Sequence, residues 1–148
     1  DELYKASRAG VKVRALVRGM CSLVPGIKGL SDNIYVISIV DRFLEHPRVM
    51  VYENAGDQRV IISSADWMSR NMDERIEVGC PIYDKQLAGQ IISILELQFK
   101  DTVKARLIDV NQSNKYVPRG NRKKIRSQVE IYNYLKALEN KYETRNYS

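Results

Sequence analysis

The residue types best suited to chemistry gather between Phe43 and Arg75. His46 is the single histidine of the 148-residue chain, and Arg48 follows two positions later. After an apolar run comes Ser63-Ser64-Ala65-Asp66. Imidazole, guanidinium, hydroxyl and carboxylate on so short a length suit phosphate chemistry better than packing. A free imidazole has a pKa of about 6.5, so it can exchange a proton with a phosphate oxygen near neutral pH. A guanidinium stays charged and presents paired planar donors that match phosphate oxygens. Each residue also has a plainer reading. A histidine at an element end is often only solvated, and Arg48 is as readily a solvated strand residue as a phosphate holder. Asp66 could orient a histidine or pair with Arg70, but a structural role in the turn weighs at least as much. Trp67 and Met68 read as core rather than as groups that stack on a base.

These residues need elements to hold them. Residues 48–53 and 58–63 read as strands joined by a hairpin turn over Asn54–Asp57. A hairpin juxtaposes its outer ends, so His46 and Arg48 should approach Ser64 and Asp66. Pro47 disfavours helical geometry at His46, so a helical turn over residues 41–45 would stop there. Upstream, residues 11–18 alternate as a strand with Val11, Val13, Ala15 and Val17 on one face, closing at Arg18-Gly19. A charge at the end of a buried strand is a frequent place for a site residue. The loop over 19–33 lacks Gly-Lys-Ser/Thr and is not a P-loop, although its amides could meet phosphate oxygens. Residues 34–40 read as another strand or a strand entering a short helix. The opening ten residues read as the tail of a helix ended by Gly10, with no helix start before it, which suggests a piece of a longer chain.

Downstream, residues 74–79 predict a strand with Ile76 and Val78 opposite Arg75 and Glu77, ended by Pro81. Asp84 should cap a helix running to about residue 99, with Leu87, Ile91, Ile94 and Leu95 on its apolar face. A last strand over 103–109 competes with helix continuation. Residues 111–126 form a basic loop carrying Arg119, Arg122, Lys123, Lys124 and Arg126. Ser127 and Glu130 have the spacing of a capping box for a final helix. Its stripe of Ile131, Leu135, Leu138 and Tyr142 should dock on the sheet, with fraying from about Thr144. The pattern predicts one α/β domain, a mixed sheet flanked by helices.

Composition narrows the partners. The chain is 44% hydrophobic and 28% charged, ordinary for a globular protein, with a net charge of +6. That surplus favours an anionic partner: polyphosphate, nucleotide, nucleic acid or an anionic membrane. Cys21 and Cys80 lie too far apart for metal spacing, and one histidine nearly excludes a Cys/His zinc site. They read as reduced, partly buried thiols of a cytosolic protein. No apolar run is long enough to span a bilayer. The basic loop could guide a polyanion by long-range attraction, but a solvated loop is the weightier reading. RNA binding lacks aromatic interleaving there.

His46, Arg48 and the Ser-x-Asp turn echo the phospholipase D pattern, with Arg48 in place of its lysine and Asp66 in place of its asparagine. The wider sequence is more specific. Val17-Arg18-Gly19-Met20-Cys21-Ser22-Leu23-Val24-Pro25-Gly26 comes first. Ser38-Ile39-Val40-Asp41-Arg42-Phe43-Leu44-Glu45-His46 and Ser64-Ala65-Asp66-Trp67-Met68-Ser69-Arg70-Asn71, with Arg75, follow. In that order, they closely resemble the C-terminal catalytic region of bacterial polyphosphate kinase, most weakly after about residue 110.

The resemblance implies a phospholipase-D-like fold and an enzyme that reversibly transfers the terminal phosphoryl group of ATP to polyphosphate. Transfer would pass through a phosphohistidine on another domain, absent from this chain. It implies His46 as acid/base partner and nucleotide contact, with Arg18 and Arg75 binding ATP or phosphate and Arg48, Ser64 and Asp66 behind them. It implies magnesium held upstream of this chain, ATP, ADP and polyphosphate as ligands, and the remaining domains of the same enzyme as partners. A homo-oligomer without specific nucleic acid is implied, in the cytoplasm or peripherally at the inner membrane. On this reading the second phospholipase-D-like domain begins upstream of Asp1, residues 1–148 are part of it, and the isolated chain is inactive. Ser63 departs from an expected glycine, which matters if that backbone needs a positive φ. Two rival functions stand beside this one: a phospholipase-D-type phosphodiesterase or nuclease with His46 as nucleophile, and a non-catalytic polyanion-binding module.

Overall fold

A computed structural model of the chain describes residues 1–146, with side chains through Glu143. In chain order the elements are α1 (Glu2–Arg8), β1 (Val13–Leu16), β2 (Ile34–Ser38), β3 (Val49–Tyr52) and β4 (Arg59–Ser63). Then come α2 (Ser69–Asp73), β5 (Gly79–Ile82), α3 (Lys85–Phe99), β6 (Arg106–Ile108) and α4 (Ser127–Asn146). They divide into two units, Asp1–Phe43 together with Leu97 onward, and Leu44–Glu96. The fraying expected from about Thr144 falls on side chains, and at Tyr147 and Ser148 on backbone, outside the described residues.

In the first unit β2 is central. It pairs in parallel with β1 and antiparallel with β6, giving a small mixed sheet. Ile37 is fully buried and packs with Ala105, Val117, Leu16, Ile39, Phe99 and Leu107. The expected strand over 11–18 is shorter than its alternation, since only Val13–Leu16 is strand and Val11 is half exposed. A carboxylate that the sequence pattern did not single out anchors this unit. Asp101 is fully buried, and its Oδ1 accepts the N–H groups of Val103, Lys104 and Ala105 at 2.8, 2.6 and 3.1 Å. Its Oδ2 accepts the Ser127 N–H at 2.7 Å. Burial pushes this carboxyl's pKa up, but the amides outweigh it and the net shift is downward.

Asp101 displaces the expected capping box. Ser127 is the first residue of α4, and the Glu130 N–H bonds to the Arg126 carbonyl. The carboxylate from residue 101 therefore takes the Ser127 amide that the Glu130 side chain would have accepted in a capping box. The helical turn expected over residues 41–45 is also absent. Arg126 grips Asp41 with two bonds of 2.7 and 2.6 Å, and Gln128 both accepts from the Phe43 N–H and donates to its carbonyl. Backbone groups held this way are unavailable for a helix. The α4 stripe docks only in part: Leu135 is 46% and Tyr142 43% exposed.

In the second unit β3, β4 and β5 form an antiparallel meander. The hairpin forms as expected, with Val49 opposite Ile62 and Tyr52 opposite Arg59. Its turn is of the I′ kind: the Gly56 N–H bonds to the Glu53 carbonyl, and Asn54 and Ala55 have φ of 46° and 54°. The strand expected over 74–79 lies further on, at Gly79–Ile82. Pro81 sits inside it opposite Ile61, tolerated because β5 is the edge strand. The apolar side of the alternation before it is exposed, Ile76 fully and Val78 at 65%. The unanticipated α2 ends at Asp73 and takes up the chain just before this segment. Asp84 caps α3 as its position predicts, accepting the Gln86 and Leu87 N–H groups at 2.7 and 2.9 Å.

Candidate functional site

The β3–β4 hairpin brings its outer ends together. The Ser63 N–H bonds to the Arg48 carbonyl at 2.8 Å, one step beyond the last strand pair. His46, just ahead of β3, and Asp66, just after β4, therefore face each other. His46 Nε2 lies 3.0 Å from Asp66 Oδ1. Arg48 Nε donates to the same oxygen at 2.9 Å, and Arg48 Nη2 lies 3.5 Å from His46 Nδ1. The Arg48 guanidinium, and after it His46, hold the Asp66 carboxyl far below its ordinary range, at about 2. Asp66 reciprocally raises the pKa of Arg48. An ionised carboxylate can only accept, so Nε2 carries the hydrogen and the neutral ring keeps its lone pair on Nδ1. The bond to the carboxylate fixes the orientation of the imidazole ring.

A second cluster adjoins the turn. Glu77 accepts from the Ser64 hydroxyl in a short bond and from Asn71 Nδ2 at 2.6 Å. The Ser64 hydroxyl in turn accepts the Val78 N–H at 3.0 Å. These bonds, those of Ser64 and Asn71 first and then the charges of Arg75 and Arg48, lower the pKa of Glu77. Sequence alternation places Glu77 as one polar residue of a strand and does not single it out. The usable signal was a carboxylate two residues from Arg75. Ser63 needs no positive φ, and its hydroxyl accepts the Ala65 N–H at 3.0 Å, so the missing glycine leaves the turn intact.

The structure thus joins His46, Arg48 and Asp66 directly, and places Ser64 and Arg75 around Glu77. Of the two partners the sequence offers Asp66, a histidine or Arg70, the structure shows the histidine. Trp67 and Met68 correct the core reading: they are 64% and 38% exposed. The turn ends the strand before their side chains can enter the unit's interior. Arg18 belongs to the first unit, two residues past β1, and is exposed with no bonded partner among the described residues. Both cysteines are free, Cys21 half-buried and Cys80 exposed, which corrects the partly buried reading for Cys80. Among the described residues no three His, Cys, Asp or Glu side chains converge as metal ligands. No helix of the described residues is long and apolar enough to cross a membrane.

Comparison with known proteins decides the family. The family model for polyphosphate kinase C-terminal domain 2 matches residues 1–128. The chain belongs to that family. A polyphosphate kinase of Vibrio parahaemolyticus is 65% identical over 137 residues, 93% of this chain and 20% of the relative. That of Escherichia coli K12 is 59% identical over 139 residues, 94% of this chain and 20% of the relative. In structure, the chain resembles polyphosphate kinase from Porphyromonas gingivalis with a TM-score of 0.92 and 46% identity. That likeness covers 95% of this chain and 22% of the solved one. The chain therefore spans about a fifth of the length of the polyphosphate kinases it matches. The α/β, phospholipase-D-like fold class read from the sequence holds for this polyphosphate kinase domain.

Proposed function

We propose that this domain supplies part of the active site of a polyphosphate kinase, which moves the terminal phosphoryl group of ATP reversibly onto a polyphosphate chain. The phosphoryl group passes through a histidine on another domain. His46 is the acid/base partner: its imidazolium donates the Nδ1 proton to the departing phosphate oxygen and recovers a proton in the reverse direction. Asp66 and Arg48 orient the ring. Arg18 and Arg75 bind ATP or phosphate as guanidinium donors to developing charge. Magnesium is assigned to residues outside this chain. ATP, ADP and polyphosphate are the ligands, the other domains of the polypeptide are the partners, the assembled enzyme is a homo-oligomer, and its place is the cytoplasm.

The observation that supports this reading is the His46–Asp66–Arg48 arrangement, formed by the three side chains that the family motifs frame. In the full-length polypeptide, His46→Ala should lower ATP-to-polyphosphate transfer by about 10²–10⁴-fold, the usual worth of a positioned acid/base. The isolated chain should show no turnover. Wild-type transfer by the substituted enzyme removes His46 from the mechanism, and turnover by the isolated chain removes the need for a histidine on another domain. Trapping a covalent adduct on His46 with a diester substrate would favour the phosphodiesterase instead.

A further inference from the structure

Charge is unevenly spread along the first unit. Between Asp109 and Glu130 there is no carboxylate, and Arg119, Arg122, Lys123 and Lys124 fall within six residues. Without those four, 20 basic residues would face 18 acidic ones, and the net charge would drop from +6 to +2. Most of the chain's surplus charge therefore sits on one short loop.

That loop is held in shape from inside. The Arg122 guanidinium donates to the carbonyls of Pro118 and Arg119, and Arg119 Nη1 donates to the Arg122 carbonyl at 3.4 Å. Thr102 fastens the far side: its hydroxyl donates to the Lys123 carbonyl at 3.2 Å and accepts the Ile125 N–H at 2.9 Å. The backbone of Thr102 adds a bond to the Ile125 carbonyl at 2.9 Å. Arg126 points elsewhere, into its pair with Asp41, so the basic stretch ends at Lys124. All residues from Arg119 to Lys124 are exposed. Among the described residues, neither Lys123 nor Lys124 has a carboxylate within ion-pair distance.

We infer that this loop is a binding site for the polyphosphate chain, engaging extended inorganic polyanion by charge. The inference rests on polyphosphate being the substrate, as proposed above. Like charges held close together repel one another, and a linear polyanion relieves that repulsion along its length. A loop already ordered by its own bonds loses little freedom on binding. No aromatic side chain lies within Arg119–Lys124, so the loop offers no stacking platform for nucleobases. Recognition by charge alone suits a polymer with nothing but phosphates to read.

The test uses the full-length polypeptide and labelled long-chain polyphosphate. Lys123→Gln with Lys124→Gln should weaken binding by about 10-fold at low salt, from two lost ion pairs at the strong end of exposed contacts. It should also flatten the log–log salt dependence by about 1.5–2 units, from two fewer released counterions. Arg122 is left in place because it orders the loop. Lys123→Arg with Lys124→Arg keeps the charge and should restore binding. ATP affinity should stay within twofold, and His46→Ala should retain long-chain binding. Unchanged polyphosphate affinity and salt slope in the Gln variant overturn the loop site while leaving the proposed kinase reading intact. So does loop-dependent binding of single-stranded DNA or anionic vesicles tighter than that of polyphosphate. Loss of polyphosphate binding by the wild type itself overturns the kinase reading first.

Discussion

Arg48→Gln gives a sharp test of how the candidate site is wired. One oxygen, Asp66 Oδ1, serves both His46 and Arg48, at 3.0 and 2.9 Å. The Arg48 bond is the largest influence lowering the Asp66 carboxyl from 3.8 to about 2, and the His46 bond is the next. A carboxyl at about 2 is about 90% ionised at pH 3, whereas one at the ordinary 3.8 is about 15% ionised. The sign follows from linkage. A depressed carboxyl pKa contributes stability that is fully present above 3.8 and is lost as pH falls through about 2. In the wild-type domain the dyad should hold at pH 3 and come apart near pH 2. In Arg48→Gln the Asp66 midpoint should move up towards 3.8, so the dyad fails at a higher pH than in the wild type. His46→Gln should move the midpoint less. A carboxyl ¹³C titration of Asp66 reads all three midpoints directly. A wild-type midpoint in Arg48→Gln, or a larger displacement from His46→Gln, would falsify this account of which neighbour holds the charge.

Three further outcomes follow from single residues. In the full-length enzyme, Arg18→Ala should cut phosphoryl transfer by about 10²–10³-fold, as loss of a charge-stabilising donor does, and steady-state assays with ATP and polyphosphate will show it. Asp101→Ala strands four amide donors and should destabilise the domain by about 4 kcal/mol in urea unfolding, whereas Asp101→Asn, able to keep an acceptor for three of them, should cost only about 1–2 kcal/mol. Ala55 has φ of 54° in an exposed turn, so Ala55→Gly should stabilise by about 0.5–1 kcal/mol, the relief of left-handed strain exceeding glycine's added chain entropy. Equal stability of the two Asp101 variants, or a destabilised Ala55→Gly, would count against these readings.

The sequence by itself determined the hairpin, the meeting of its outer ends, the Asp84 cap and the family. Each rests on short-range rules. Alternation, turn residues and capping side chains act within a few residues, so their consequences are visible along the chain. Tertiary structure alone decided which partner each polar group chose. Asp66 took Arg48 and His46 rather than Arg70, Glu77 joined Ser64 and Asn71, and Arg126 reached 85 residues back to Asp41. It also decided that Asp101, not a capping box, opens α4, and that Pro81 lies within an edge strand rather than ending one. A buried or half-buried polar group must find some partner, but its type does not say which segment will supply it. That choice is made when distant segments pack, and no local periodicity carries it.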